Sequence, residues 1–290
     1  MSARIVTCLA IAVTPAWLAA QGDTMRPFQY EVTGGWAMTT MDTSPDIDIN
    51  QYQVSGTYHL KPVALASGPW NEAAFLEHST DVSVRAEYQT FEVGSFSAEG
   101  FVGGAGFRYA EKDKPIAAEF AFSLGSLDGD SGIDIDVSTI EARVGYWLRP
   151  NAILGVDFSR TETDASSLLD VEELRFGIFG KIVHDLGEGR AINGEARIGM
   201  DSIDDSVSTD ENIEFAGSAD FYFTPRYSAG ALIAVSSGDS DAREGTTLGV
   251  RGSAWVTPQL AVDARYATFQ ASNNTGNDSD TFLIELTLRF

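Results

Sequence analysis

Five strands place an acid and an arginine two positions apart, Arg85 and Glu87, Glu141 and Arg143, Glu173 and Arg175, Glu195 and Arg197, and Asp263 and Arg265, and a sixth places Glu285 four positions before Arg289. In an extended backbone successive side chains point to opposite faces, so each pair puts a carboxylate and a guanidinium side by side on one face of a strand. Such groups either line a wet wall, where their net field sets ion preference, or neutralise each other and fill space. Bond-breaking chemistry needs more, usually a nucleophile with a histidine base. The only histidines are His59, His78 and His184. The stretch "DGDSGIDID" alternates carboxylates but lacks the ligand order and the twelfth-position Glu of an EF-hand loop. The residues therefore point to no catalytic site, no metal and no cofactor.

The elements that must hold these pairs are strands. After Gly22 the pattern has period two almost throughout, with 28 glycines in the chain and many aromatic and β-branched residues. Fourteen strands are expected at about 27–40, 50–60, 76–91, 97–110, 115–126, 135–148, 151–162, 171–183, 190–202, 212–223, 227–236, 246–256, 260–271 and 281–290. At about 10–14 residues most exceed the roughly 5–6 of ordinary globular strands. The connections alternate between two kinds. One kind is longer, polar and acidic, as in "DTSPDIDI", "TDASSLLDVEE" and "NNTGNDSD". The other is a tight turn such as "RPN", "TPR" and "TPQ", with Pro115, Pro150, Pro225 and Pro258 recurring. The repeating unit is a hairpin of about 33–38 residues with aromatics just before each turn, at one level of successive strands. That level suits an interfacial girdle. The connection "KPVALASGPWNE" (61–72) is long for its side. Asn71 could cap a short helix there or the third strand could continue bent, and a turn packed against the barrel mouth is the expected arrangement of the segment around Trp70, Asn71, Glu72 and His78.

At the N-terminus one positive charge at Arg4 precedes an apolar run from Ile5 to Val13 and small residues ending at Ala20. This is the build of a secretory signal peptide, cleaved after residue 20, and the run is too short for a membrane-spanning helix. Cys8 lies inside the run, which excludes a lipoprotein site and leaves residues 21–290 as one domain without cysteine. Removing Arg4 leaves 18 basic against 42 acidic residues, a formal charge of −24, so nucleic acid is not an expected partner. Two classes remain: an exported soluble β protein, or a barrel in the outer membrane.

The faces decide between them. Ile140, Ala142, Val144, Tyr146 and Leu148 share one face, as do Leu174, Phe176, Ile178 and Ile182, and this face is almost free of charge. The opposite face carries the acid–arginine pairs. A sandwich could bury the first and wet the second. Long strands, the loop asymmetry and export favour an all-β, single transmembrane antiparallel barrel, where Arg on the lipid side would cost about 2–4 kcal/mol at mid-depth. The last strand, with Phe282, Ile284, Leu286, Leu288 and Phe290 alternating outward, resembles the C-terminal signature of Gram-negative outer-membrane β-barrel proteins. "KPVALASGPWNEAAFLEHSTDVSV" resembles a segment near the second and third strands of porin families. The resemblance implies that Phe290 is read by the barrel-assembly machinery, and that lipid, lipopolysaccharide and small solutes or ions are the other partners.

The leading expectation is a porin-like passive channel for small hydrophilic solutes across the outer membrane, with both termini periplasmic. Its pore would be lined by Arg85, Glu87, Glu141, Arg143, Asp157, Glu173, Arg175, Glu195, Arg197, Asp220, Asp263, Arg265 and Glu285, with Gln51, Gln53 and Thr57. Glu31, Glu119, Asp157, Glu214 and Asp220 would add unpaired carboxylates and make it cation-preferring. Acids at Asp46, Asp48, Asp128, Asp130, Asp204 and Asp205 would either draw cations to the outer mouth or bridge lipopolysaccharide through divalent ions. The alternatives are a closed structural or adhesive barrel filled by its own ion pairs and an outer-membrane lipid-modifying enzyme. The histidines sit at the wrong end for the latter.

Overall fold

The computed structural model describes residues 26–65, 68–129, 134–165, 169–205, 209–238, 244–272 and 278–290, with backbone alone at 165, 169 and 205. The expected signal peptide at 1–20 and Asp130 lie outside the described residues, as does the side chain of Asp205. The described residues contain fourteen strands: β1 (Phe28–Asp42), β2 (Ile47–Val63), β3 (Asp81–Val93), β4 (Phe96–Tyr109), β5 (Ile116–Gly129), β6 (Asp134–Arg149), β7 (Ala152–Ala165), β8 (Leu169–Gly187), β9 (Arg190–Asp205), β10 (Thr209–Thr224), β11 (Tyr227–Gly238), β12 (Gly245–Thr257), β13 (Leu260–Ala271) and β14 (Asp278–Arg289). Each pairs antiparallel with its neighbours in sequence, and β1 pairs with β14, so the sheet closes into one barrel. Closure runs from Glu31↔Arg289 to Asp42↔Asp278 and ends in Gln29 N–H donating to Phe290 O at 2.8 Å.

All fourteen expected strands are present, and they correct one expectation. The acidic segments expected as long outer loops are largely strand: β8 starts at Leu169, before Asp170 and Glu172, and β9 and β10 run through Asp204 and Asp210. Period-two patterning fades where both faces are polar, so these ends look like loop in sequence although ladder hydrogen bonds hold them. A membrane crossing needs only about 9–11 residues, and the strands have 12 to 19, so the excess forms an acidic extension beyond the apolar zone. There Asp48, Asp128 and Asp204 share the outward face rather than the lumen, by the continuous registers of their strands. Outward groups pair along this rim: Tyr88 Oη donates to Glu99 at 2.6 Å, Arg160 Nε to Glu172 at 2.9 Å and Tyr266 Oη to Asp280 at 2.7 Å.

The outward face is apolar over the intervening belt. Val84, Leu124 and Val250 are 62%, 62% and 60% exposed, and the terminal alternation puts Phe282, Ile284, Leu286, Leu288 and Phe290 on the same face. A continuous exposed apolar band of this kind needs hydrocarbon, not water, around it.

At the short-turn end the register slips by one residue before several of the tight turns, between Trp147 and Arg149, Asp185 and Gly187, Tyr222 and Thr224, and Trp255 and Thr257. The aromatics there form a girdle only in part. Tyr146, Phe221 and Phe223 face outward and are at least a third exposed, whereas Trp147, Tyr222 and Trp255 face inward and are buried. Alternation requires this split, since adjacent aromatics on a strand cannot share a face.

Closure gives the first testable outcome. Thr33 and Thr287 face each other across the β1–β14 seam with their hydroxyls 3.0 Å apart, so paired cysteines there fall within disulfide reach. A Thr33→Cys/Thr287→Cys variant should cross-link on oxidation only when folded, giving a distinct mobility on non-reducing gels. Cross-linking in the unfolded chain alone would contradict the seam.

Candidate functional site

The connection between β2 and β3 does not stay at the mouth. It folds into the lumen, correcting the expected turn: a 3₁₀ turn at Trp70–Glu72 leads into α1 (Ala73–Leu76), which His78 ends in a left-handed conformation at φ 48°. Asn71 caps neither element. Its side-chain amide donates to Ser253 Oγ at 2.8 Å and Asp263 Oδ1 at 3.4 Å, and its carbonyl accepts from the Trp255 indole. Trp70, 1% exposed, packs edge-on against Trp255 at 6.0 Å, and its carbonyl accepts from Arg289 at 2.9 Å. Phe28, Val63, Leu65, Trp70, Ala73, Trp255 and Ala261 make a small hydrophobic core here, inside the barrel.

Across the lumen the same segment is held by charge. Glu72 is buried and receives Lys181 Nζ at 2.7 Å, Asn193 Nδ2 at 3.1 Å and Tyr222 Oη at 3.1 Å. Phe75 lies 4.9 Å from Trp147. His78 stacks on Trp147 at 3.7 Å, and its Nε2–H donates to Pro150 O at 2.8 Å. The segment therefore crosses from the β12–β14 wall to the β6–β10 wall, and the inward aromatics are its seats.

By the strand registers the inward face, beside the segment and beyond it, carries every one of the thirteen expected residues, but the pairs within strands mostly do not form. Only Glu173 and Arg175 bond within their strand, at 2.7 Å. Other partners cross strands: Arg197 to Asp157 at 2.9 Å and Glu214 at 3.7 Å, Arg85 to Glu141 at 3.6 Å, Lys181 to Glu195 at 2.8 Å, Arg289 to Glu31 at 2.6 Å, and Arg251 to Asp220. Four of the five carboxylates expected to be unpaired, Glu31, Asp157, Glu214 and Asp220, thus have arginine partners. The registers that bring them together join different hairpins, so no spacing along one strand reveals them. Two glycines make the central pair possible: a Cβ on Gly177 would lie 2.8 Å from both Arg197 and Asp157, and one on Gly199 2.7 Å from Arg197.

These walls enclose cavities. An outer chamber of about 600 Å³ is lined by Arg85, Arg143, Arg175 and Arg197 against Glu119, Glu141, Asp157, Glu173 and Glu214. An inner chamber of about 640 Å³, against the folded segment, is lined by Arg108, Arg143, Lys181, Arg197, Arg251 and Arg265 against Glu119, Glu195 and Glu214. A third space of about 340 Å³ lies on the other side of the segment, beside Glu72, Asp81, Arg108 and Arg289. Of the remaining expected lining residues, Glu285 accepts from Gln53 at 2.6 Å, Glu87 from Gln89, and Asp263 and Asp220 are held by Asn71 and Arg251. Arg108, Lys181 and Arg251 are the lining cations that sequence reasoning missed; each lies on the right face, but none has an acid two positions away.

His59, Ser79 and Asp81 lie together, which invites a hydrolase reading. The geometry opposes it: Ser79 Oγ is 2.8 Å and Asp81 Oδ2 3.5 Å from the same nitrogen, His59 Nδ1. A triad needs the nucleophile and the acid on opposite ring nitrogens. The ring is 2% exposed and packs edge-on against Phe28 at 5.4 Å, while Asp81 is bound by Arg108. His78 is occupied by Trp147, and His184 lies on the outward face of β8.

No family model matches the sequence, and no curated protein matches it. Among solved structures the chain is similar to the outer-membrane protein Omp33 of Acinetobacter baumannii, at 22% identity over 93% of this chain and 100% of that one, with a TM-score of 0.53. It also aligns with the translocator domain of the autotransporter NalP from Neisseria meningitidis, at 10% identity over 95% and 91% of the two chains with a TM-score of 0.45. A third alignment is to a loop-deletion form of OmpT, an outer membrane protein of Vibrio cholerae, at 8% identity over 90% and 98% with a TM-score of 0.47. The first likeness shows an outer-membrane barrel fold.

Glu72 should anchor the folded segment. Its removal strands the buried Tyr222 hydroxyl, a cost of about 1–3 kcal/mol, while Asn193 keeps Glu195 and Asp220 as acceptors. Glu72→Ala should lower the temperature at which the barrel loses its heat-modifiable gel mobility. Glu77→Ala, which removes only the exposed Lys112 pair, should leave it nearly unchanged. Equal effects would show that the Glu72 contacts contribute nothing.

Proposed function

We propose that the chain is an outer-membrane diffusion channel for small hydrophilic solutes, narrowed at its short-turn end by the folded segment 68–80. The observation that carries this reading is the continuity of the cavities. The outer and inner chambers share Glu119, Arg143, Arg197 and Glu214 as walls, and the inner chamber and the third space share Phe75, Arg108, Glu119 and Lys181. A chain of spaces walled by charge suits water and ions rather than lipid. The short turns and both termini are assigned to the periplasm, with residues 1–20 as the export signal. Phe282 to Phe290 is the segment offered to the assembly machinery, and the outward acidic rim is assigned to lipopolysaccharide contact.

The closed structural barrel remains the second reading, because the segment is bonded to opposite walls. Single-channel recording separates the two: the wild-type protein in a planar bilayer should pass current, and Glu72→Ala should raise the unitary conductance by loosening the constriction. A silent wild type would favour the closed barrel.

Cation preference is assigned to the outer chamber, where five carboxylates face four arginines. Glu119 is the clearest contributor, since it lines all three spaces. Glu119→Gln should move the reversal potential in a salt gradient toward zero, and the wild-type preference should weaken as salt rises past about 0.1 M, where the Debye length is ~10 Å. An anion-preferring wild type would overturn the assignment.

Orientation has its own readout. A thiol label that cannot cross the outer membrane should reach Ser272→Cys on intact cells but not Glu188→Cys or Lys114→Cys. The reverse pattern would invert the topology.

A further inference from the structure

One row of the inner wall alternates in sign across five neighbouring strands. In register order it reads Asp81 on β3, Arg108 on β4, Glu119 on β5, Arg143 on β6 and Asp157 on β7. Both ends of the row are committed: Asp81 is bound by Arg108, and Asp157 by Arg197 from β9 at 2.9 Å. Glu119 and Arg143 are left in the middle. They stand directly opposite each other in the β5–β6 ladder, where facing Cβ atoms lie about 4.5–5.5 Å apart. Yet among the described residues neither side chain makes an ion pair or a hydrogen bond, with the other or with any third group.

Phe179 draws Arg143 off the row. The guanidinium carbon lies 4.6 Å from the ring centre. The ring itself lies against the sheet because two glycines make room for it: a Cβ on Gly155 would sit 2.7 Å from the ring, and one on Gly145 3.4 Å. A guanidinium held by its face keeps its edge N–H donors for a carboxylate, and Glu119 keeps its oxygens for a cation. The two charges belong to one wall and open on one space, since both line the inner and the outer chamber. The next row toward the short turns is small, with Ala117 facing Gly145. Beyond that floor stands Phe75 of the folded segment, partly exposed and 4.9 Å from Trp147.

We propose that this wall binds a small zwitterion with an apolar body, of which a free α-amino acid is the simplest kind. Its carboxylate lies on Arg143, its ammonium on Glu119, and its side chain over Ala117 and Gly145 against Phe75. Two neighbouring opposite charges that do not bond each other match a solute that carries both. A simple anion on Arg143 would meet Glu119 and Asp157 on either side, and a simple cation on Glu119 would meet Arg108 and Arg143. A zwitterion sets a complement against each and brings no net charge into the lumen. Each charge-assisted hydrogen bond adds about 2.8 Å, so a molecule with both groups on one carbon spans a separation too wide for the direct pair. The proposal deepens the channel reading and rests on it for access, because the solute arrives through the outer chamber, whose cation preference does not oppose a neutral dipole.

Phenylalanine is the probe, with hydrocinnamate, which lacks the ammonium, and phenethylamine, which lacks the carboxylate. Calorimetry on the purified barrel in detergent should show phenylalanine binding at least about ten-fold tighter than either, the gain expected for one charge-assisted hydrogen bond. Glu119→Gln should weaken phenylalanine about ten-fold and leave hydrocinnamate no weaker. Arg143→Gln should weaken phenylalanine to the same degree and leave phenethylamine no weaker. A general loss of structure would not give this crossed pattern, and heat-modifiable mobility checks that each variant is folded. If the wild-type protein binds no phenylalanine, or binds hydrocinnamate or phenethylamine as tightly, or if either glutamine variant holds phenylalanine as well as wild type, the site is wrong. Phenylalanine binding with the crossed pattern in a protein that passes no current would keep the site and remove the channel reading, whereas current without phenylalanine binding would do the opposite.

Discussion

Hydrocarbon offers no hydrogen bonds, so every backbone N–H and C=O that crosses it must find a partner within the protein. In a sheet only closure meets that requirement, and here it is met by the β1–β14 seam, twelve register pairs from Glu31↔Arg289 to Asp42↔Asp278. Once the sheet is closed, the strands have two faces with opposite surroundings. Val84, Leu124 and Val250 belong outside, where lipid takes the place of the interior that buries such side chains in a water-soluble protein. Within the apolar belt the side chains that need water or a counter-charge are left to share one interior, and only the rim beyond it carries such groups outward.

That interior is crowded, and its contents follow from the crowding. An arginine in the lumen lies within reach of neighbouring strands and of strands across the barrel, so it pairs with whichever carboxylate the register brings close. Arg197 reaches from β9 to Asp157 on β7 and Glu214 on β10. The interior glycines are part of the same packing: Gly177 and Gly199 leave volume for a guanidinium–carboxylate pair against the wall. A side chain there would push the pair toward the axis and narrow the lumen.

The segment between β2 and β3 adds what the wall alone does not have, an apolar cluster inside the barrel. Trp70 inserts beside Trp255 and Phe75 beside Trp147, while Glu72 and Asn71 answer the polar groups around them. Its path divides the short-turn end into two spaces and puts the aromatic surface of Phe75 in both.

Period-two alternation and the alternating turn chemistry determine a great deal by themselves. Fourteen strands, the tight turns and the face carried by each acid–arginine pair are legible because each depends on residues a few positions apart. The terminal Phe282-to-Phe290 alternation is legible for the same reason. The acidic strand ends are not, since polar residues on both faces erase the alternation while the backbone ladder persists. Nor are the partners of Asp157, Glu31 and Asp220, or the path of Trp70 to His78. Those depend on which strands the closed sheet sets opposite one another, and on the inward turn of Trp147, Tyr222 and Trp255 relative to their outward neighbours. Local pattern decides the face of a side chain, but only closure decides what it meets across the lumen, because those contacts join residues separated by whole hairpins.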